Sequence, residues 1–140
     1  MMTVNEVLTS ENQLEKIGAL LHQGYRFVTM TVVDNGDEFD IYYHFDLEYQ
    51  LVNCLLKLKK GGTLQSISGI CFAAVVVENE IQDLFGITVT GLAIDYDKHF
   101  ILAADAPAQP FCRVPGVGVT AVTTDGKGNI ADVSNKGGDK

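Results

Sequence analysis

The sequence predicts an α+β fold: an N-terminal helix, a small, mainly antiparallel sheet of three or more strands, a central helix packed on that sheet, and an extended C-terminal arm. Three observations predict it. Phe39-Asp40-Ile41-Tyr42-Tyr43-His44-Phe45-Asp46-Leu47 places an apolar residue at every second position, the period of a half-buried strand. The segments around Leu14 to Leu21 and Ile70 to Leu84 instead repeat apolar residues every three or four positions, which is the helical period. Beyond residue 104, Pro107, Pro110 and Pro115, with Gly116 and Gly118, break both periods.

In chain order, Ser10 and Gln13 form a capping-box pattern, and Leu14, Ile17, Leu20 and Leu21 follow at helical spacing as far as Gly24. His22 falls at the end of this helix, where positive charge suits the dipole. Tyr25 to Val33 is aromatic and β-branched, and Asp34-Asn35-Gly36-Asp37 signals a tight type I′ hairpin. The returning strand turns Phe39, Ile41, Tyr43, Phe45 and Leu47 to the core and Asp40, Tyr42, His44 and Asp46 outward. A third strand, about Tyr49 to Lys59, turns Val52, Cys54, Leu56 and Leu58 inward, although Leu51 and Leu55 interrupt its wet side. Gly61-Gly62 ends it, and Thr63 to Ser68 reads as a connection.

The central helix is the organising element. If it runs from Ile70, then Ile70, Ala74, Val77, Ile81 and Leu84 share one stripe, with Phe85 at its edge; Glu78, Asn79, Gln82 and Asp83 spread over the opposite side and Glu80 lies near the border. Gly86 stands where a left-handed stop is wanted. Phe72, Val75 and Val76 make the first half apolar nearly all round, so a second covering is expected there. Thr88-Val89-Thr90 reads as extended, Asp95 to Lys98 as a loop, and Phe100-Ile101-Leu102 as a short hydrophobic segment. Residues 1–104 are expected to form one domain, and 105–140 an extended or partly disordered arm.

Composition narrows the function. Of 140 residues, 46% are hydrophobic and 20% charged, an ordinary globular balance, and the formal charge of -8 excludes a phosphate-binding nucleic-acid partner. The longest apolar run, Ile70 to Val77, is far short of the roughly 20 residues of a membrane span. Met1 to Glu6 lacks the basic and apolar regions of a secretory signal, which points to the cytoplasm. Cys54, Cys71 and Cys112 are widely spaced, with no CxxC pair, and read as apolar core or interface residues.

Glu78, Glu80 and Asp83 invite a catalytic or metal-binding reading. On a helix, however, Glu78 and Glu80 diverge by about 160° and only Glu80 and Asp83 converge, with His99 the one nearby candidate partner. A solvated or partner-facing acidic side is the simpler reading. His44 beside Tyr42 and Asp46 resembles a base with an orienting group, and an exposed polar strand face explains it as well. Ser66 and Ser68 lack a nucleophile-elbow context, and no glycine run carries GxGxxG or a P-loop lysine.

Ala73-Ala74, then Glu78-Asn79-Glu80, then Asp83-Leu84-Phe85-Gly86-Ile87 and Gly91 resemble the signature of the 30-kilodalton subunit family of respiratory complex I and its hydrogenase relatives. In that family two acids one residue apart run into an acid-hydrophobic-Phe-Gly-Ile turn. A basic residue usually separates the acids and a His usually follows the later Gly; Asn79 and Leu92 stand there, which with the short chain suits the small version in energy-converting, Ech-type NiFe hydrogenases. The resemblance implies a non-catalytic structural subunit without metal or cofactor of its own. Its implied partners are a NiFe large subunit and an iron-sulfur small subunit, which carry the NiFe centre and the clusters on the cytoplasmic face of the membrane. Phe72, Val75, Val76, Glu78, Glu80, Asp83, Phe85, Gly86 and Gly91 are the expected motif and interface residues, with residues 107–120 beside them. A complex I subunit, a stand-alone enzyme and a free-standing binding protein are the other readings.

Overall fold

The alternating segment becomes an inner strand of a four-stranded sheet, the place where a two-faced pattern is satisfied on one side by core and on the other by a polar surface. The computed structural model describes residues 2–111, and the expectations placed on Cys112 and on the arm beyond it lie outside them. In order come β1 (Glu6–Leu8), α1 (Gln13–His22), β2 (Arg26–Asp34), β3 (Glu38–Leu47), β4 (Gln50–Lys59), β5 (Thr63–Gln65), α2 (Ala74–Phe85) and β6 (Thr88–Thr90). The sheet order is β1-β4-β3-β2, antiparallel apart from the parallel β1–β4 pair, and β5 and β6 form a separate parallel pair. The fold is α+β.

Phe39, Ile41, Tyr43 and Phe45 point inward from β3 and meet Cys54 and Leu56 of β4, Ile17 of α1, and Ala74 and Ile81 of α2. Each of the Phe, Ile and Leu side chains among them contributes about 1.5–3 kcal/mol on burial, so this face holds both helices to the sheet. Burial, with Glu6 nearby, also pushes the Cys54 thiol up to about 11, as expected of a core cysteine.

The type I′ turn expected at Asn35-Gly36 is not there. At Asn35-Gly36 only Gly36 has a left-handed φ, 95°, whereas a type I′ turn needs one at both central residues; the Asp34 carboxylate accepts the Gly36 N–H at 2.8 Å, and the Asn35 N–H donates to the Glu38 carbonyl, which centres the turn one residue later, on Gly36-Asp37. The two-residue type I′ connection is instead Glu48-Tyr49, at φ 50° and 66°, closed by the Leu47–Gln50 pair. Register forces it, because β3 and β4 pair along their whole length. Tyr49 is 97% exposed, so no packing offsets its strained backbone. Tyr49→Gly should therefore stabilise the protein by about 1 kcal/mol in thermal unfolding.

The start of α1 shifts by one residue: Thr9 N–H donates to Asn12 Oδ1 and Asn12 N–H to Thr9 Oγ1, a reciprocal capping pair just ahead of the Ser10 and Gln13 pattern. Gln13 is freed for the interior, where its amide donates to the Tyr43 hydroxyl at 2.9 Å and to the Gln65 carbonyl at 2.8 Å. On the far side of the small sheet, Gln82 Oε1 accepts the Val89 N–H at 2.9 Å. Two glutamines thus cap the outer edges of β5 and β6, which lets strands of three residues persist. Thr63 to Ser68 is consequently more than a connection. β1 is an element that the sequence pattern does not announce, since only Leu8 of its three residues is buried.

Candidate functional site

The motif segment lies on α2, and its geometry corrects the expected surface. The helix begins at Ala74, four residues later than its apolar pattern suggests, with Cys71 and Phe72 in the turn that leads into it. Glu78, Asn79, Gln82 and Asp83, expected on a solvated side, are all buried. The helix is covered on one side by the large sheet, and on the other by β5, β6 and residues 91–102, whose unpaired backbone groups supply the partners.

Each polar side chain binds one piece of that second cover. Glu78 accepts the Ile67 N–H at 2.7 Å through Oε1 and the Ser66 hydroxyl at 2.5 Å through Oε2. Ser66 Oγ in turn accepts the Ser68 N–H at 3.0 Å and lies 2.6 Å from Ser68 Oγ, which accepts the Ala93 N–H. Asn79 donates to the Val75 and Ile94 carbonyls and accepts the Tyr96 N–H. Gln82 donates to Asp95, while Asp83 Oδ2 accepts the N–H groups of Ile101 and Leu102 at 2.7 and 3.0 Å. Among the described residues Asp83 Oδ1 is buried without a hydrogen-bond partner.

The three acids do not converge. Glu78 faces Ser66 and Ile67, Asp83 faces Ile101 and Leu102, and Glu80 is half-buried between them on the helix. Among the described residues no group of three or more His, Cys, Asp and Glu side chains assembles into a metal site. Burial pushes the Glu78 carboxyl above its ordinary value, opposed by the hydrogen bonds from Ser66, Ile67 and Ser68.

His44 is buried rather than exposed on its strand face. Its Nδ1 lies 2.8 Å from Asn53 Oδ1 and its Nε2 lies 2.9 Å from Thr31 Oγ1. Since the Asn53 amide nitrogen donates to the Thr3 carbonyl, Oδ1 is the acceptor and Nδ1 carries the proton. Both ring nitrogens are engaged, and Asp46 pairs with Arg26 instead, so the base reading lacks its geometry. An open cleft of about 520 Å³ runs past Ser10, Leu14, Gln65, Ser66 and Ile70. None of its lining side chains is charged, and the Ser66 hydroxyl is committed to Glu78.

What the segment leaves exposed is apolar. Phe72 is 65% exposed and Val76, one turn further on, 53%, with Ile70 beside them also exposed. Val75, grouped with them on sequence, is only 6% exposed; it shares the helix side of Asn79 and Gln82, and its carbonyl accepts from the Asn79 amide. At the other end of α2, Phe85 packs edge-on against Phe39 and Phe111, and the Phe111 N–H donates to the Leu84 carbonyl. Gly86 ends the helix at φ 69°, with the Gln109 side chain where a Cβ would stand. Gly86→Ala should cost about 2 kcal/mol, from the left-handed backbone and the displaced Gln109, and the loss is read in chemical denaturation. Gly91, at φ 77°, turns the chain out of β6.

Comparison with known proteins places this architecture. A family model described as respiratory-chain NADH dehydrogenase, 30 Kd subunit, matches residues 7–113. A chain in the structure of the membrane-bound sulfane sulfur reductase, an archaeal respiratory membrane complex, has a similar fold, with a TM-score of 0.59 and 16% identity over 74% of this chain. This chain covers 65% of the length of that one. A search of curated proteins found no match. Among the described residues no helix is long and apolar enough to cross a membrane. With the match spanning well over half of its length, and the motif residues serving as the fastenings of its fold, the chain belongs to the 30 Kd subunit family of respiratory-chain NADH dehydrogenase.

Proposed function

We propose that this chain is a non-catalytic structural subunit of a membrane-bound, multisubunit energy-converting NiFe hydrogenase, in which ferredoxin-dependent hydrogen formation is coupled to ion translocation. It docks on the large catalytic subunit, beside the iron-sulfur small subunit, and sits peripherally on the cytoplasmic face of the membrane. The NiFe centre and the clusters belong to those partners. The observation that carries the reading is the exposed apolar group Ile70, Phe72 and Val76, set directly beside the family motif, whose buried polar residues Glu78, Asn79, Gln82 and Asp83 are spent on internal bonds. Side chains of this size left in water at one place are characteristic of a subunit interface. Asn79 at the motif's second position and Leu92 after Gly91 support the hydrogenase branch by resemblance.

The matched family's description favours a second reading, a 30-kilodalton subunit of a complex I-type NADH/quinone oxidoreductase. Affinity purification of the tagged chain from mildly solubilised native membranes separates the two. A co-purifying NiFe large subunit with hydrogen evolution supports the first, NADH-dependent quinone reduction supports the second, and a chain recovered alone from the soluble fraction contradicts both.

A further inference from the structure

The tip of the β2–β3 hairpin carries the sequence's one Asn-Gly pair, Asn35-Gly36. An asparagine followed by glycine can react with the backbone beside it, because glycine has no Cβ to keep its nitrogen from the neighbouring side chain. In that reaction the Gly36 nitrogen attacks Asn35 Cγ and a C–N bond forms. The side-chain amide nitrogen leaves as ammonia, carrying the proton that Gly36 gives up. Water then opens the five-membered succinimide at either carbonyl and leaves aspartate or isoaspartate at position 35. Water is the only co-reactant.

The fold exposes one reacting group and ties down the other. Asn35 is exposed, so solvent reaches its side-chain amide. The Gly36 N–H, however, donates to Asp34 Oδ1 at 2.8 Å, and Asp34 Oδ2 accepts Lys60 Nζ at 2.8 Å. The Asp34 side chain is only 3% exposed, and Lys60 is itself held, by its ammonium over the Phe39 ring and by its backbone N–H on the Asp37 carbonyl. The acceptor is thus fixed in place. A carboxylate does not deprotonate a backbone amide, which is by far the weaker acid. It keeps the proton on the nitrogen instead, and its negative charge opposes the amide anion that would attack. The Asn35 N–H bond to the Glu38 carbonyl holds the same turn from its other side.

We propose that Asn35 is a site of intramolecular deamidation that the folded hairpin keeps closed, with Asp34 as the residue that closes it, so that aspartate or isoaspartate at position 35 marks chains whose hairpin has opened. Either product places a further carboxylate beside Asp37 and Glu38, in a shallow depression that Lys59 shares. Isoaspartate also adds one main-chain carbon between the two groups that close the turn, the position-35 N–H and the Glu38 carbonyl. The modified tip therefore does not return to the original turn.

Peptide mapping by mass spectrometry tests it, on the full chain kept in mildly alkaline buffer. Wild type should convert at position 35 at least about tenfold more slowly in native buffer than in denaturant, a comparison that needs no variant. Native Asp34→Ala should convert at least about tenfold faster than native wild type. Lys60→Met also removes the Lys60–Asp34 pair but leaves Asp34 on the Gly36 N–H, so it should stay within about threefold of wild type. Amide exchange at Ile41 and Tyr43 reports that β3 is intact in each variant. Equal conversion of wild type in native buffer and in denaturant would overturn the proposal, as would an Asn35 that stays unconverted in denaturant. Equal acceleration in Asp34→Ala and Lys60→Met would overturn it too, because general loosening of the hairpin, and not the Asp34 hydrogen bond, would then set the rate.

Discussion

Glu78→Ala is expected to lower the unfolding free energy by about 3–5 kcal/mol, because it strands the Ile67 N–H and the Ser66 hydroxyl in the interior and leaves a cavity between α2 and the β5 segment. Glu78→Gln should cost only about 1–2 kcal/mol. Its amide oxygen can keep the Ile67 N–H, and its amide nitrogen can donate to Ser66 Oγ. The Ser66 proton then turns towards Ser68, reversing the hydroxyl chain and leaving the Ser68 proton without an acceptor. Chemical denaturation of the two variants reads the difference.

The same carboxyl makes stability depend on pH. Its folded pKa lies above its ordinary value because burial disfavours the charged form. Between the two values the folded state therefore binds more protons than the unfolded one, and stability falls as pH rises from the ordinary carboxyl range through the folded pKa. Glu78→Gln removes this contribution. The wild-type minus Glu78→Gln difference in unfolding free energy should accordingly be more favourable to wild type in mild acid than at neutral pH, and a difference that does not change with pH would contradict the assignment.

Asp83→Ala is expected to cost about 2–4 kcal/mol, since one carboxylate oxygen holds two backbone N–H groups, those of Ile101 and Leu102. The loss should be local as well as global. Amide exchange at Ile101 and Leu102 should rise sharply while that of β3 changes only with overall stability. Asp83→Asn keeps an acceptor for both N–H groups but puts an NH2 where Oδ1 is buried without a hydrogen-bond partner among the described residues, so it should cost about 1–2 kcal/mol, less than Asp83→Ala.

These effects locate what was legible in the sequence. The inward residues of β3, the first helix and the Gly86 stop were legible, because alternation, helical spacing and a left-handed glycine are local signals. The fate of Glu78, Asn79, Gln82 and Asp83 was not. Periodicity separates polar from apolar positions, but a polar side is silent about whether its partner is water or a backbone. Here the partners are the amides of Ile67, Val89, Tyr96, Ile101 and Leu102, brought to the helix by a second small sheet and a loop. Val75, expected beside Phe72 and Val76, is buried on the same helix side as Asn79 and Gln82. Glu48-Tyr49 escaped notice because register, rather than turn composition, closes that hairpin. Phe72 and Val76 were identified as candidate interface residues from sequence, and they are the members of the expected set that the fold leaves exposed and apolar.

The account rests on that exposed pair as the docking surface. The direct measurement is affinity purification of a Phe72→Asp, Val76→Asp double variant from native membranes, with its thermal unfolding recorded on the isolated chain. Both side chains face solvent, so the variant should unfold within a few degrees of wild type while its recovery with the large catalytic subunit falls at least about tenfold, as expected when charges are buried at an apolar interface. Undiminished recovery of the large subunit by a folded variant would contradict the claim.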